Sequence, residues 1–126
     1  MTNIETERYE YKSSLSETRE IIETVAAFAT ATGGCIHIGV NPNGQILGVQ
    51  IGKSTLEDLA NKIKQNTDPP QFPSIEIENI NGRNIIKVFI TENPLKPVYA
   101  FGRALKRVGR TNHHLTRYVF QRLTEV

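Results

Sequence analysis

A stretch of 32 residues near the end of the chain is rich in basic residues and contains no acidic ones. Seven bases and no acid fall between Asn93 and Thr124. These bases are Lys96, Arg103, Lys106, Arg107, Arg110, Arg117 and Arg122. An arginine guanidinium can place two parallel N–H bonds on two phosphate oxygens, so this run favours contacts with a polyanion. The pattern predicts a surface for nucleic-acid phosphates, and the alternative is a solvated basic face.

The centre of the basic run, residues 102–110, has the composition of an extended segment. Alternate side chains of such a segment share a side, so Arg103 and Arg107 are expected to point one way and Lys106 the other. Backbone N–H groups of residues 109–112 would add anion contacts at the start of a last helix. The predicted nucleic-acid contacts are Lys96, Arg103, Lys106, Arg107, Arg110, Asn112, His113 and Arg117.

The two halves of the chain carry opposite net charge, which leaves a structural alternative open. The first 60 residues contain eight acids and four bases, and the remaining residues contain five acids and eleven bases. Carboxylate partners for the arginines are therefore available. In this alternative, Arg103 and Arg107 pair with acids of the first half such as Glu10 or Glu23, and serve the fold instead of a ligand.

Other chemistry has little support in the residues. The phosphate-binding motif GxxxxGK[ST] and the nucleophile motif GxSxG are both absent from the sequence. Cys35, which follows Gly34 at the start of a predicted strand, is expected to be a small buried side chain. His37 is expected to be partly buried on the same strand. His113 and His114 are adjacent and would not face one another on a helix, so they predict no metal clamp.

Length and composition indicate one domain over residues 1–126, with residues 1–7 as a flexible arm. The chain has 126 residues, is 38% hydrophobic and has a formal net charge of +2, values that are ordinary for a globular protein. Its longest purely apolar run, Val25–Ala29, is far shorter than the roughly 20 residues of a membrane helix. The N-terminus lacks a secretory signal and the single cysteine permits no internal disulfide, so a cytoplasmic location without membrane contact is expected.

Hydrophobic periodicity and turn residues predict seven strands and three helices. The predicted strands are Arg8–Ser13, Cys35–Val40, Ile46–Ile51, Ser74–Ile80, Arg83–Ile90, Val98–Phe101 and Ala104–Val108. Two helices follow possible capping boxes at Ser14 and Ser54, and the third carries Leu115, Val119 and Leu123 on one face. The turn pairs, above all Asn81-Gly82, indicate hairpins. The expected fold is α/β (α+β), with a single mixed, largely antiparallel sheet and helices packed on it.

Seven short motifs occur in a characteristic order along the chain. They are Glu5–Lys12, Glu23–Ala29, Gly33–Val40, Gly44–Gly48, Lys96–Tyr99, Gly102-Arg103 and Arg107–Asn112. In these motifs the chain resembles the Schlafen-type AlbA domain, and the resemblance covers almost the whole sequence. It implies a DNA-binding domain of the kind that usually begins longer regulators in bacteria.

The resemblance also implies an alternative activity. In Schlafen ribonucleases, two glutamates five residues apart and a later aspartate hold the catalytic metal, and Glu5 and Glu10 match that spacing. The later aspartate is expected in the turn that here reads Asn41-Pro-Asn43. An amide is a weaker ligand for Mg²⁺ or Mn²⁺ than a carboxylate. A metal-dependent endoribonuclease carried by Glu5 and Glu10 is therefore the alternative, and a solvated acidic arm is the simpler interpretation.

The sequence thus predicts a nucleic-acid-binding domain with a regulatory role that contacts DNA or RNA phosphates through its basic C-terminal surface. No cofactor is expected for the domain in this role. One small domain offers a narrow footprint, so a homodimer is expected. A regulatory protein-interaction module, whose basic face meets an acidic partner, is the third possibility.

Overall fold

The computed structural model describes residues 5–115, which form two helices and eight strands. Helix α1 covers Thr18–Thr30 and helix α2 covers Thr55–Asn66. The strands are β1 (Tyr9–Lys12), β2 (Gly34–Ile38), β3 (Thr67–Asp68), β4 (Ser74–Ile80), β5 (Arg83–Ile90), β6 (Val98–Ala100), β7 (Arg103–Val108) and β8 (Thr111–His114). Neither of the described helices combines the length and the apolar character that crossing a membrane requires.

The strands form two sheets of four strands each, so the predicted single sheet is wrong. The first sheet has the order β1-β2-β5-β4, and the second has the order β3-β6-β7-β8. The division arises because β6 pairs with β3 and β7 and not with a strand of the first sheet. Among the strand pairs of residues 5–115, only β1 and β2 are parallel, so the α+β class and the largely antiparallel pairing are confirmed.

Helix α1 lies between the two sheets and supplies much of the core. It contacts β2 and β5 of the first sheet and β6, β7 and β8 of the second. Ile21, Val25 and Phe28 are fully buried, as expected for a helix covered on both flanks. The helix ends before Gly33, whose φ of 83° suits glycine and whose N–H donates to the carbonyl of Phe28 at 2.8 Å.

The predicted strand over residues 46–51 is absent from the described chain. Only an isolated bridge joins Val40 and Ile46. The N–H groups of the next two residues both donate to the carbonyl of Gly39, at 2.8 and 2.9 Å. Because two amides converge on one acceptor, the backbone turns here and does not continue a ladder.

The predicted last helix is wrong over the part that the structure describes. Residues 111–114 form β8, which pairs antiparallel with β7, and the N–H of Leu115 extends this pairing to the carbonyl of Ala104 at 2.9 Å. Backbone pairing with β7 satisfies these groups and overrides the local pattern. Val119 and Leu123, which completed the helical spacing, lie outside the described residues.

Two-residue turns close the two central hairpins. Asn81-Gly82 joins β4 to β5 with φ values of 51° and 85°, as the sequence predicted. Phe101-Gly102 joins β6 to β7 with φ values of 52° and 77°. The second turn fixes where β7 begins, and with it the positions of Arg103, Lys106 and Arg107.

Candidate nucleic-acid interface

Part of the basic run, residues 103–114, forms a hairpin of β7 and β8 at the edge of the second sheet. Lys106 lies opposite His113, and Arg107 lies opposite Asn112. Directly opposed residues share a face of the sheet, and successive residues alternate. The Arg107 pair faces α1, because the Arg107 guanidinium lies 4.9 Å from the ring centroid of Phe28. Lys106 and His113 are therefore on the outer face.

Lys106 and Arg110 are the unpaired cations of this hairpin. Lys106 is half-buried on the outer face, and Arg110 is exposed in the turn between the strands. Within residues 5–115 neither side chain has an ion pair or hydrogen bond. His113 lies beside Lys106, with its Nε2 2.9 Å from Oγ1 of Thr111. The charges of Lys106 and Arg110 are therefore available to an external anion.

Arg103 begins β7 and is exposed. Its Nη2 lies 3.4 Å from Nδ1 of His114, a contact with a ring nitrogen and not with a carboxylate. Arg103 does not pair with Glu10 or Glu23, since Glu10 pairs with Arg107 at 2.6 Å and Glu23 pairs with Arg19 at 3.6 Å. Arg103 thus remains on the predicted surface.

Lys96 lies in the loop before β6, and its ammonium is bound by other groups of the protein. Its ammonium forms an ion pair with Glu92 and donates to the carbonyl of Ala31 at 3.4 Å. These contacts tie the loop to the end of α1. Lys96 therefore offers less charge to a ligand than Lys106 does.

Arg107, predicted as a phosphate contact, is only 2% exposed. Its guanidinium donates to Oε1 of Glu10 at 2.6 Å and to Oδ1 of Asn112 at 2.8 Å. It also donates to the carbonyl of Thr6 at 2.8 and 3.3 Å and to that of Tyr9 at 3.2 Å. These bonds use all five N–H donors of the guanidinium. The alternative pairing with Glu10 is correct for Arg107, which leaves it no donor for a phosphate.

Asn112 also serves the interior. Its Oδ1 accepts from Arg107, and its Nδ2 donates to Oγ1 of Thr24 at 2.8 Å, so the amide links β8 to α1. Because residues 111–114 are extended, the anion site predicted at the start of a helix is wrong. Arg117 lies outside the described residues.

The Arg107 cluster consists of this arginine and the groups it binds, from Thr6, Tyr9, Glu10 and Asn112. This cluster also holds the N-terminal arm, which was expected to be flexible. Arg107 binds the carbonyl of Thr6, whose own N–H donates to the carbonyl of Tyr9 at 2.9 Å. Oε2 of Glu5 accepts the N–H of Tyr11 at 3.1 Å. The described part of the arm, residues 5–7, is therefore held against β1 and β7.

Glu5 and Glu10, the pair that the resemblance implies as metal ligands, lie in hydrogen-bonding contact with one another. Burial raises the pKa of Glu10 to about 7, and the hydrogen bond with Glu5 acts in the same direction. Arg107 and Lys12 oppose this shift. Burial also acts to raise the pKa of Glu5, but its hydrogen bonds with Glu10 and Tyr11 outweigh burial and hold the pKa below its ordinary value. Of the two carboxyl groups, Glu10 therefore keeps its proton to higher pH than Glu5 does.

The comparison with protein families decides the identity of this fold. The sequence profile described as Schlafen, AlbA_2 matches residues 5–116. The chain belongs to the Schlafen AlbA_2 family. None of the curated proteins compared with the chain matches it.

Two solved structures share the fold of this AlbA_2 domain. The DIP2311 protein from Corynebacterium diphtheriae superposes with a TM-score of 0.74 at 15% identity, over 94% of this chain and 23% of that chain. The second is the N-terminal domain of a protein from Nitrosomonas europaea described as related to the ATP-dependent DNA helicase RecG. It has a TM-score of 0.63 at 21% identity and covers 91% of this chain and 86% of that one.

Within residues 5–115 of the AlbA_2 domain, Glu5, Glu10 and Asn41 do not form an open carboxylate set for a metal ion. Oε1 of Glu10 is bound to Arg107, and Oε2 lies 3.5 Å from the Lys12 ammonium. Oδ1 of Asn41 accepts the N–H groups of Asn43 and Gln45 at 3.0 and 2.9 Å, so it caps its own turn. Among the described residues, no three His, Cys, Asp or Glu side chains are grouped to hold a metal ion. These residues do not fit a hard divalent cation.

The sequence interpretation missed a second group of surface residues, on the outer face of the first sheet. Arg8, Tyr9, Lys87 and Phe89 line a groove of about 610 Å³ there. Period-two alternation identifies which face each side chain takes within its own strand. It does not identify which strands are neighbours, and that arrangement brings these residues together.

Proposed function

We propose that this AlbA_2 domain binds nucleic acid through the β7–β8 hairpin, with Lys106 and Arg110 on phosphates and Arg103 and His113 beside them. The observation that carries the proposal is that two cations of this hairpin have no carboxylate partner among residues 5–115. Lys106 and Arg110 have no carboxylate partner in residues 5–115, whereas the adjacent Arg107 is fully bonded. Within residues 5–115, the charges of Lys106 and Arg110 are thus not neutralised by carboxylates of the fold.

The interior of the same hairpin makes it a rigid support. Arg107 binds the backbone of β1 and the arm before it, and Asn112 binds Thr24 of α1. The outer cations are therefore displayed on a strand pair whose position is fixed from behind, which lowers the entropic cost of binding. Phosphate contacts position a nucleic acid without reading its sequence, so a weak sequence preference is expected.

Membership of the Schlafen AlbA_2 family supports this proposal, since the Schlafen-type AlbA resemblance implies DNA binding. The Nitrosomonas europaea protein is described as related to a DNA helicase, and its N-terminal domain has the same fold. That description concerns the whole protein. It agrees with a nucleic-acid role for the domain without identifying DNA or RNA as the partner here.

Fluorescence anisotropy over a series of salt concentrations tests the proposal with labelled duplex DNA, single-stranded DNA and a folded RNA. If Lys106, Arg110 and Arg103 each neutralise one phosphate, log K for duplex DNA should fall with log salt at a slope of about −2.7. The double variant Lys106→Gln with Arg110→Gln should reduce the steepness of that slope by about 2.

The matched control is Lys53→Gln with Lys64→Gln, which removes two exposed cations outside the hairpin. This variant should bind as the wild type does. An affinity independent of salt, or an equal loss in both double variants, contradicts the hairpin as the binding surface. Stable binding to an acidic protein with none to the three nucleic acids would favour the regulatory protein-interaction module.

The contact between Glu5 and Glu10 keeps a second candidate, the metal-dependent endoribonuclease, open to test. The same RNA is incubated with and without Mn²⁺ and run on a denaturing gel. RNA that stays intact agrees with the binding proposal. Fragments that require Mn²⁺ and disappear in Glu5→Gln would replace that proposal with the ribonuclease.

The homodimer stays a prediction and belongs to this proposal. A single hairpin with two unpaired cations covers few phosphates, and a second copy would double the contacts. Sedimentation equilibrium with and without duplex DNA measures the assembly. A monomer under both conditions contradicts the homodimer and leaves the hairpin proposal in place.

A further inference from the structure

We propose that the outer face of the first sheet is a second binding site, which takes an unpaired nucleotide with its base against Tyr9 and Phe89 and its phosphate at Arg8. This site lies on β1, β2 and β5, whereas the hairpin proposed above belongs to the other sheet. The groove on this face has a volume of about 610 Å³. That volume lies within the usual range of about 300–1,000 Å³ for small-molecule sites.

The strand register places two aromatic rings on either side of a small side chain. Tyr9, Cys35 and Phe89 are direct partners across β1, β2 and β5. Neighbouring strands are about 4.8 Å apart, so Tyr9 and Phe89 stand about 10 Å apart with the Cys35 thiol as the floor between them. Tyr9 is 41% exposed and Phe89 is 38% exposed, which leaves both rings open to a ligand.

The next row of the same face adds polar groups. Tyr11, His37 and Lys87 are partners across the same strands. The His37 ring centroid lies 6.0 Å from that of Tyr9 and 5.8 Å from that of Tyr11. Burial lowers the pKa of His37, and Lys87 acts in the same direction, so the ring is neutral at neutral pH. A neutral imidazole offers one donor and one acceptor, which suits the edge of a base.

The uncompensated charge of the groove is positive. Arg8 is exposed, and its guanidinium has no partner in the part of the chain from 5 to 115. Lys87 is paired with Glu78 at 2.6 Å. Glu92, the one acid among the described residues that line the groove, is paired with Lys96. Arg8 is therefore the group that would attract an anion, and a guanidinium fork matches phosphate oxygens.

Exposed aromatic rings beside an unpaired guanidinium fit a whole nucleotide better than they fit a base alone or a phosphate alone. A base can stack on an aromatic ring that stands on an open sheet face, while its phosphate meets the cation. In a duplex the bases are stacked within the helix and cannot reach such a face. The occupant is thus an unpaired nucleotide of a single strand.

The test compares Phe89→Leu, which removes the ring but keeps an apolar side chain, with the wild type. Anisotropy is measured on a labelled mixed-sequence single strand, the matching duplex and an abasic strand of the same length. Phe89→Leu should weaken binding to the single strand about tenfold or more. The duplex and the abasic strand should bind the variant and the wild type alike, since neither offers a base to the groove.

Phe72→Leu is the matched control, because Phe72 is 77% exposed and does not line the groove. It should bind the single strand as the wild type does. A second measurement needs no variant: a strand containing 5-iodouracil is photocrosslinked to the wild-type protein, and the crosslinked peptides are identified by mass spectrometry. Crosslinks at Tyr9 or Phe89 are expected. Crosslinks confined to the β7–β8 hairpin would overturn the groove.

The experiments distinguish failure of the groove proposal from failure of the hairpin proposal. If Phe89→Leu binds the single strand like the wild type, or if the abasic strand binds as tightly as the normal strand, the groove proposal is wrong and the hairpin is untouched. If Lys106→Gln with Arg110→Gln changes nothing while Phe89→Leu weakens the single strand, the hairpin proposal is wrong and the groove stands.

Discussion

Lys106 and Arg107 are neighbours in sequence, carry the same charge and occupy opposite environments. Lys106 lies on the outer face of β7 with no ion pair among the described residues, and Arg107 lies on the inner face with every donor bonded. Strand alternation alone produces this difference. A count of basic residues therefore overstates a binding surface, because part of the charge can belong to the core.

The inner face explains how a small domain accommodates a buried arginine. A buried cation is costly unless it is paired and its donors are bonded. Glu10 supplies the carboxylate, and Thr6, Tyr9 and Asn112 supply oxygens for the remaining donors. The Arg107 cluster joins β1, β7 and β8, so it connects the first sheet to the second across α1.

The difference between the two faces of β7 is tested most strongly by substituting Arg107, which should have the largest effect on the free energy of unfolding. Arg107→Met should lower the free energy of unfolding by about 3–5 kcal/mol, because it leaves Glu10 buried without its partner. Urea denaturation followed by circular dichroism measures the change. A double variant, Arg107→Met with Glu10→Met, should recover part of the loss. A single variant as stable as the wild type would show that the cluster contributes little.

The next largest effect should come from Asn112, which touches Arg107 and Thr24 but carries no charge. Asn112→Ala leaves an N–H of Arg107 without its acceptor and removes the N–H that Thr24 accepts, although the Thr24 hydroxyl still donates to the carbonyl of Glu20. The free energy of unfolding should therefore fall by about 1–3 kcal/mol. The matched control is His113→Ala, the next residue on the outer face, which should change stability by less than about 0.5 kcal/mol. Equal losses in both variants would contradict the assignment of inner and outer faces.

Local patterns predicted those parts of the fold that depend on neighbours in sequence. The alternation of Cys35–Val40, the helix over residues 18–30 and the turn at Asn81-Gly82 are of this kind. The division into two sheets could not be predicted, because it depends on which distant strands pair. The hairpin of β7 and β8 replaced a predicted helix for the same reason, since only the partner strand satisfies the backbone of residues 111–114.

The candidate site shows the same limit. The charge run identified Lys106 and Arg110, and the alternative pairing identified Glu10 as a partner of Arg107. The sequence offered no means of choosing between the two roles for each base. That choice follows from the packing of α1 against β7, a contact between residues far apart in the chain.

The pH dependence of stability provides a smaller test of the inner face. A carboxyl group whose pKa is raised on folding holds its proton to higher pH in the folded state than in the unfolded chain. The pKa of Glu10 rises from 4.5 to about 7. Its contribution to the free energy of unfolding should therefore fall, by on the order of 1 kcal/mol, as the pH rises across that window. Glu10→Gln should remove this slope, measured by urea denaturation at several pH values, whereas Lys106→Gln should keep it.

The smallest effect on stability, and the sharpest test of the outer face, is Lys106→Gln alone. Because Lys106 has no ion pair in residues 5–115, its loss should change the free energy of unfolding by less than about 0.5 kcal/mol. The same substitution should make the slope of log K against log salt for duplex DNA shallower by about 1. A stability loss without a change in slope would place Lys106 with Arg107 as a structural residue. A change in slope without a stability loss would separate the two faces of β7 by function as well as by environment.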